Sequence, residues 1–233
     1  MKSLDLIKML DKILKTKFDS GAKSYNRQRS NVIPHMDQMY SIVAELASSN
    51  VPGPKILDLG AGTGLLTEKL FKKYSRGTFT LIDISMEMLN IARERFKGKA
   101  NFEYIQQNYL KTDFDSSFDI VISSLSIHHL NNNSKEKIYS KVYEILNEGG
   151  VFINTDQILA PSSENEYIYQ RNWMEKIETG SLKQDEKKFI FDRMKLDNPS
   201  TLENNLKWLK NCGFINVDVF YKYYNFCILY GKK

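Results

Sequence analysis

Only two cysteines, Cys212 and Cys227, occur in 233 residues. That is too few for a disulfide framework and shows no zinc-type spacing, so a reduced, intracellular chain is expected. No run of about 18 consecutive apolar residues is present, which excludes a membrane-spanning helix. Charges break every early apolar stretch, so no signal peptide is expected, and the reading is a cytoplasmic protein without a membrane partner. Like charges form no block: the net charge of +5 is spread among 33 Lys and Arg. This permits an anionic partner such as RNA without requiring one. There is no Gly-Lys-Ser/Thr ending to a phosphate loop, because Gly64 is followed by Leu65-Leu66. No cluster of metal ligands is evident, and Asp113-x-Asp115 lacks the rest of a calcium loop, so no metal is expected.

What is present is an alternation of short apolar runs with helical periodicity. Leu4, Ile7, Leu10 and Leu14 put an amphipathic docking or lid helix over residues 3–17. Apolar residues from Ile33 to Leu46 predict a second helix over 32–49, stopped by Val51-Pro-Gly-Pro54. Strands are predicted at 55–59, 78–83, 101–106, 118–125 and 151–154. Helices are predicted at 64–74, from an N-cap at Ser85 to Phe96, and from a cap at Ser134 to near Asn147. The link 107–117 is close to the minimum for a parallel crossover, so little helix is expected there. The pattern predicts parallel βαβ units with helices on both faces of the sheet.

After Gln157 the rhythm changes. Residues 158–197 are charged and aromatic and read as one or two helices forming a lid. Asn198-Pro199 opens a helix ending at Gly213, and alternating runs at 215–221 and 226–230 form an antiparallel pair. Residues 1–233 thus read as one domain: a helical cap (1–50), a core (55–157), an insert (158–197), and a final helix with a strand pair (198–233).

The stretch KILDLGAGTGLLTEKL, residues 55–70, passes from strand through a glycine-rich loop into a helix. Open α/β sheets bind ligands at such a hand-over, where glycines let backbone amides approach polar groups. The spacing is G-x-G-x-G, with Asp58 two residues before the first glycine. A carboxylate there would repel a bound pyrophosphate, by about 4 kcal/mol at 4 Å for an effective dielectric of 20. It suits a ligand presenting a cation, and S-adenosylmethionine carries an ammonium and a sulfonium but no phosphate. Asp83, 19 residues beyond Gly64 (83 minus 64), is placed to accept from both hydroxyls of a ribose, a feature shared by dinucleotide and S-adenosylmethionine sites.

Four ordered motifs carry a resemblance: Ile56-Leu-Asp-Leu-Gly-Ala-Gly-Thr-Gly64, Leu81-Ile-Asp-Ile-Ser-Met-Glu-Met-Leu89, Phe118-Asp-Ile-Val-Ile-Ser-Ser-Leu-Ser-Ile-His-His-Leu130 and Leu146-Asn-Glu-Gly-Gly-Val-Phe-Ile153. Across residues 55–155 the chain resembles the class I S-adenosylmethionine-dependent methyltransferases, small type 11 or type 12 domains. The resemblance implies a seven-stranded Rossmann-like sheet in which only the last strand is antiparallel. It implies S-adenosylmethionine as cofactor and S-adenosylhomocysteine as product. It places Gly60, Ala61 and Gly62 against the methionine part, Asp58 at its ammonium and Asp83 at the ribose. Ile84 and Met88 would flank the adenine. Asn108 would accept from the adenine amino group through its amide oxygen, beside Tyr109, and Ser123 and Ser124 would contribute backbone beneath the cofactor. Residues 24–29 resemble an N-terminal segment that folds over the cofactor in some relatives, with Tyr25 and Arg29 at the methionine carboxylate.

Methyl transfer is an in-line displacement, so the protein aligns reactants and excludes water, and a base is needed only if the acceptor must lose a proton. His128 and His129 are the candidates for that base, weighed against a scaffold role for the Ile-His-His-Leu segment. Asp156 and Gln157 are weaker candidates. Tyr167, Tyr169, Trp173, Tyr223 and Tyr224 are candidate acceptor-pocket residues, weighed against core packing. No Asn/Asp-Pro-Pro-Tyr segment is present, which argues against exocyclic-amine methylation of DNA. The favoured reading is methyl transfer to a small molecule, as monomer or homodimer. Two others stay open: a tRNA-related enzyme, including carboxy-S-adenosylmethionine synthase-like activity, and a cofactor-binding module without turnover.

Overall fold

The computed structural model describes the backbone of residues 3–233 and the side chains of residue 9 and residues 11–233. The side chains of Leu4, Ile7 and Leu10 lie outside the described residues. The first helix, α1 (Ser3–Val32), is a single 30-residue rod. It absorbs both the segment expected at 3–17 and residues 24–29. Gly21 does not break it, because that position is where a neighbouring ring approaches: a Cβ there would lie 2.9 Å from Cε1 of Phe189. A short turn leads to α2 (Met36–Leu46).

The core then alternates as expected. Its first part comprises β1 (Lys55–Leu59), α3 (Leu65–Lys73), β2 (Thr78–Asp83), α4 (Met86–Arg95), β3 (Phe102–Gln106) and β4 (Phe118–Ser124). A single 3-10 turn (Ile127–His129), α5 (Asn132–Ile145) and β5 (Leu146–Gln157) complete it. The insert is two helices, α6 (Ser163–Thr179) and α7 (Gln184–Met194), followed by α8 (Leu202–Asn211), β6 (Ile215–Tyr223) and β7 (Phe226–Lys232). Among the described residues, the seven strands form one sheet in the order β3-β2-β1-β4-β5-β7-β6. β7 pairs antiparallel with both neighbours, so it alone runs against the others.

Successive residues of a strand point to opposite faces, and both faces are covered. Ile56, Leu81, Ile120 and Ile153 pack with α2, α3 and α4 on one side. Leu57, Ile82, Val121 and Phe152 pack with α5 and α8 on the other. Ser85 caps α4 as expected, accepting from the Met88 amide at 3.2 Å.

Three boundaries differ from expectation. Asn131, not Ser134, caps α5, its side chain accepting from the Ser134 amide at 2.9 Å. Glu148-Gly-Gly150 does not separate helix from strand; β5 already begins at Leu146, and the register against β4 shifts between Phe118 and Ile120 to absorb the glycines. Asn198-Pro199 lies ahead of α8, whose cap is Thr201, accepting from the Asn204 amide at 3.2 Å.

α1 crosses the carboxyl ends of the strands and packs against α4 and α6. The Trp173 indole of α6 donates to the Val32 carbonyl at 2.7 Å, and Gln28 donates to Glu186 of α7 at 3.0 Å. Arg27 pairs with the same Glu186. The cap and the insert therefore close over one cleft.

Candidate active site

The cleft has three lobes that share Tyr25 of α1. The first lies between the glycine loop and α1. The loop turns left-handed at Gly60, with φ of +70°, and a Cβ there would sit 2.0 Å from the Ser126 hydroxyl oxygen. Nothing lies within 4 Å of where a Cβ of Gly62 would be, so that flank is open to a ligand. The Gly62 amide donates to Asp83 Oδ2 and the Ser85 amide to Asp83 Oδ1, both at 2.8 Å. These bonds pin the carboxylate at the end of β2, facing the lobe. Burial pushes its pKa up to about 6 against the lowering effect of those amides. Ile84, Met88 and Tyr109 form the apolar floor.

The second lobe holds Arg29, Tyr40, Asp58, Ala61 and Ser124. Asp58 is 2% exposed; Oδ2 accepts from the Thr67 hydroxyl at 2.5 Å, while Oδ1 has no partner. Burial raises its pKa to about 7. An orphaned carboxylate oxygen in a dry pocket favours a bound cation, so these residues fit the methionine ammonium of S-adenosylmethionine. Ionised Asp58 is the form that attracts the ammonium. Affinity for S-adenosylhomocysteine is therefore expected to rise by about tenfold between pH 6 and pH 8. Calorimetry at both values should show this rise, and Asp58→Asn should flatten it.

The third lobe contains His128, His129, Gln157, Trp173, Arg193 and Asp197. His128 is buried between two carboxylates: Nδ1 is 2.5 Å from Asp156 Oδ1, and Nε2 is 3.3 Å from Asp197 Oδ1. Burial alone would depress its pKa, but Asp156 and then Asp197 override this and carry it up to about 9. His129 is pushed down to about 3, by burial first and by the neighbouring His128 charge second. Its Nδ1 lies 3.3 Å from the same Asp197 oxygen, and the Gln157 amide donates to Asp197 Oδ2 at 3.3 Å. One donor atom from each of His128, His129 and Asp197 falls within 4.8 Å of the others, a spacing that a small metal ion could bridge.

Two guanidinium groups border this lobe. Arg29 lies with Cζ 4.5 Å from the Tyr25 ring centroid, and its buried Nε has no partner. Arg193 is 7% exposed and lies 5.5 Å from the Tyr25 centroid and 5.8 Å from that of Phe18. Among the described residues, Arg193 has no carboxylate within ion-pair distance and its side chain donates no hydrogen bond.

The structure brings Tyr25, Arg29, Asp58, Gly60, Ala61, Gly62, Asp83, Ile84, Met88, Asn108, Tyr109, Ser124, His128 and His129 to the cleft. Two positions stand apart. Ser123, expected to contribute backbone, is not among the residues that line the three lobes, and its buried hydroxyl donates to the Leu59 carbonyl at 2.8 Å within the sheet. Asn108 borders the first lobe, its amide oxygen accepting from the Leu110 amide and its Nδ2 donating to Asp11 of α1, both at 2.9 Å. Of the aromatic candidates only Trp173 lines the acceptor side. Tyr167 is 66% exposed, and Tyr169 stacks edge-on with Tyr224 elsewhere. Asp11, Phe18, Tyr40, Arg193 and Asp197 went unmarked in the sequence, since each reaches the cleft only through tertiary packing.

A methyltransferase-domain family matches residues 56–150. The carboxy-S-adenosyl-L-methionine synthase of Helicobacter hepaticus is 30% identical over 232 residues, covering 93% of this chain and 94% of that protein. The Campylobacter lari protein of the same name is 26% identical, covering 90% and 91%. Among solved structures, an O-methyltransferase-like protein from Nostoc punctiforme aligns with a TM-score of 0.65 at 19% identity, over 93% of this chain and 60% of that one. Human N-acetylserotonin methyltransferase, solved with S-adenosylmethionine, aligns at 0.57 and 16% identity over 85% and 53%. These two likenesses speak to the fold alone. With full-length kinship at 30% identity and a glycine loop, Asp58 and Asp83 fitted to its cofactor, the chain belongs to the class I S-adenosylmethionine-dependent methyltransferases.

Proposed function

We propose that the protein moves a methyl group from S-adenosylmethionine to a small acceptor that is already an anion, a carboxylate or comparable oxyanion, held in the third lobe. Arg193 carries this reading. Burial lowers its pKa because the charged form has lost water, and Asp197, beyond ion-pair distance, offsets this only in part. An entering anion would supply the missing partner. The imidazoles and carboxylates of the lobe are poorly suited to removing a proton. His128 already holds one, Asp156 and Asp197 are engaged with it, and His129 is neutral with very low basicity. An ionised oxygen needs no base.

When bound, the cofactor supplies an activated methyl group. The chain's own residues do the rest. Asp58 holds the ammonium end, Arg29 faces both the second and third lobes, and Asp83 fixes the ribose. Arg193 and Gln157 orient the acceptor, while Trp173 and the two insert helices keep out water. His128 holds β5, through Asp156, to the segment after α7, through Asp197, and so keeps the wall of the lobe in place.

The test is mass spectrometry of reactions with S-adenosylmethionine and a panel of carboxylates, phosphates, phenols and amines. The expected outcome is a methylated anion with S-adenosylhomocysteine, at a rate that is flat between about pH 6 and pH 8 once S-adenosylmethionine is saturating at both values. Methylation confined to amines, or a rate rising tenfold per pH unit, would overturn the reading.

A second reading has support of its own. The relatives matching over nine-tenths of their length are named carboxy-S-adenosyl-L-methionine synthases, and a carboxylate carried by the cofactor would also suit Arg193. In that case one methyl hydrogen of the cofactor would be exchanged for a carboxyl group drawn from a carboxylated co-substrate, a net gain of CO2 in mass, and no S-adenosylhomocysteine would form.

A further inference from the structure

The base end of the first lobe is walled by α1. Leu14 and Phe18 of that helix face Ile84 and Met88, and Asp11, one turn before Leu14, reaches the loop after β3. Asp11 Oδ1 accepts from Asn108 Nδ2 at 2.9 Å, and Oδ2 accepts from Lys111 Nζ at 2.7 Å. Its side chain is 23% exposed, and it borders the cleft directly.

A purine ligand whose ribose sits on Asp83 places its base in this part of the lobe, over Ile84. The 6-amino group of adenine is a donor and needs an acceptor there. Asn108 gives its NH2 to Asp11 and one lone pair of its oxygen to the Leu110 amide, which leaves that neutral oxygen a single acceptor position. Lys111 is a donor. The Tyr109 hydroxyl is buried and turned to Ser126 at 3.3 Å. Gln107 borders the lobe but is exposed to solvent, where an acceptor contributes least. The Asp11 carboxylate has about four acceptor positions, and each oxygen receives one protein donor, so lone pairs remain for a ligand.

We propose that Asp11 accepts a hydrogen bond from the adenine amino group, which makes the cap helix the wall that distinguishes adenosine from inosine ligands. Asn108 and Lys111 orient the carboxylate; Lys111 has no acceptor to offer, and Asn108 has only a neutral oxygen that is already engaged. A 6-oxo base would turn an acceptor toward a carboxylate, and a site built for one hydrogen-bond polarity rejects the other strongly.

The experiment compares dissociation constants of S-adenosylhomocysteine and its 6-oxo analogue, S-inosylhomocysteine, for wild-type protein and Asp11→Asn. The wild type is expected to prefer the adenosine ligand by about thirtyfold. Asp11→Asn, isosteric but able to donate, should lose about tenfold for that ligand and bring the two affinities within about threefold. Thermal melting of the variant should stay cooperative. An unchanged preference, or an equal loss for both ligands, would reduce Asp11 to a latch and overturn the proposal. Wild-type protein that bound neither ligand would overturn it together with the cofactor assignment.

Discussion

Arg193→Met is expected to lower kcat/KM for the acceptor by about a hundredfold or more, while S-adenosylhomocysteine affinity stays within about twofold of wild type. The guanidinium borders the third lobe and not the two lobes assigned to the cofactor. The same change should leave the melting temperature equal or higher. Removing one member of a buried pair usually strands its partner, but Arg193 has no ion-pair partner among the described residues, and methionine fills similar space without a desolvated charge. What it does lose is its approach to the rings of Tyr25 and Phe18, a modest contribution. Steady-state kinetics, calorimetry and thermal melting on one preparation give all three readouts. Full turnover in Arg193→Met would remove the anionic-acceptor reading.

His128→Ala is expected to destabilise the fold by about 3–5 kcal/mol, the range for breaking a buried charge pair from one side. Asp156 and Asp197, both largely buried, would be left facing one another with no cation between them. Urea unfolding measures the loss, and adding Asp197→Asn should recover part of it. The wild type should also show the linkage. The His128 pKa rises on folding from 6.5 to about 9, so its contribution is complete below about pH 6.5 and fades as pH climbs through about 9. Wild-type stability should fall across that window, and the variant should lack this component. An Ala variant as stable as wild type would mean that the imidazolium does not bind the two carboxylates together.

What the sequence disclosed was whatever is local. Gly60 and Gly62 announce a tight turn, both having positive φ and a Cβ at Gly60 running into Ser126, and Asp83 announces itself by ending an apolar strand. The parallel core was legible for the same reason, since residues covered on both faces form unbroken apolar runs such as Ile120, Val121 and Ile122. The rest depends on distance along the chain. Asp197 meets His128 only because the insert folds back over the strand ends, and nothing about Asp-Asn-Pro in the sequence marks it as an ion-pair partner. Arg193 reads as one more charge on a polar helix until α7 docks and takes its water away. The glycines at 149 and 150 carried a break signal that a bulge also satisfies, so local chemistry alone could not separate the two outcomes.

The length of α1 adds a kinetic consequence. Thirty residues make a rod of about 45 Å. Near one end it is tied to the loops after β2 and β3, through Asp19 on Ser85 and Asp11 on Asn108. Near the other it is tied to α6 and α7, through the Val32 carbonyl and through Arg27 and Gln28. Tyr25 stands between, on all three lobes. One stiff element therefore walls all three lobes, so a movement that freed one compound would also loosen the wall around the other, and the two release steps are tied through the same helix.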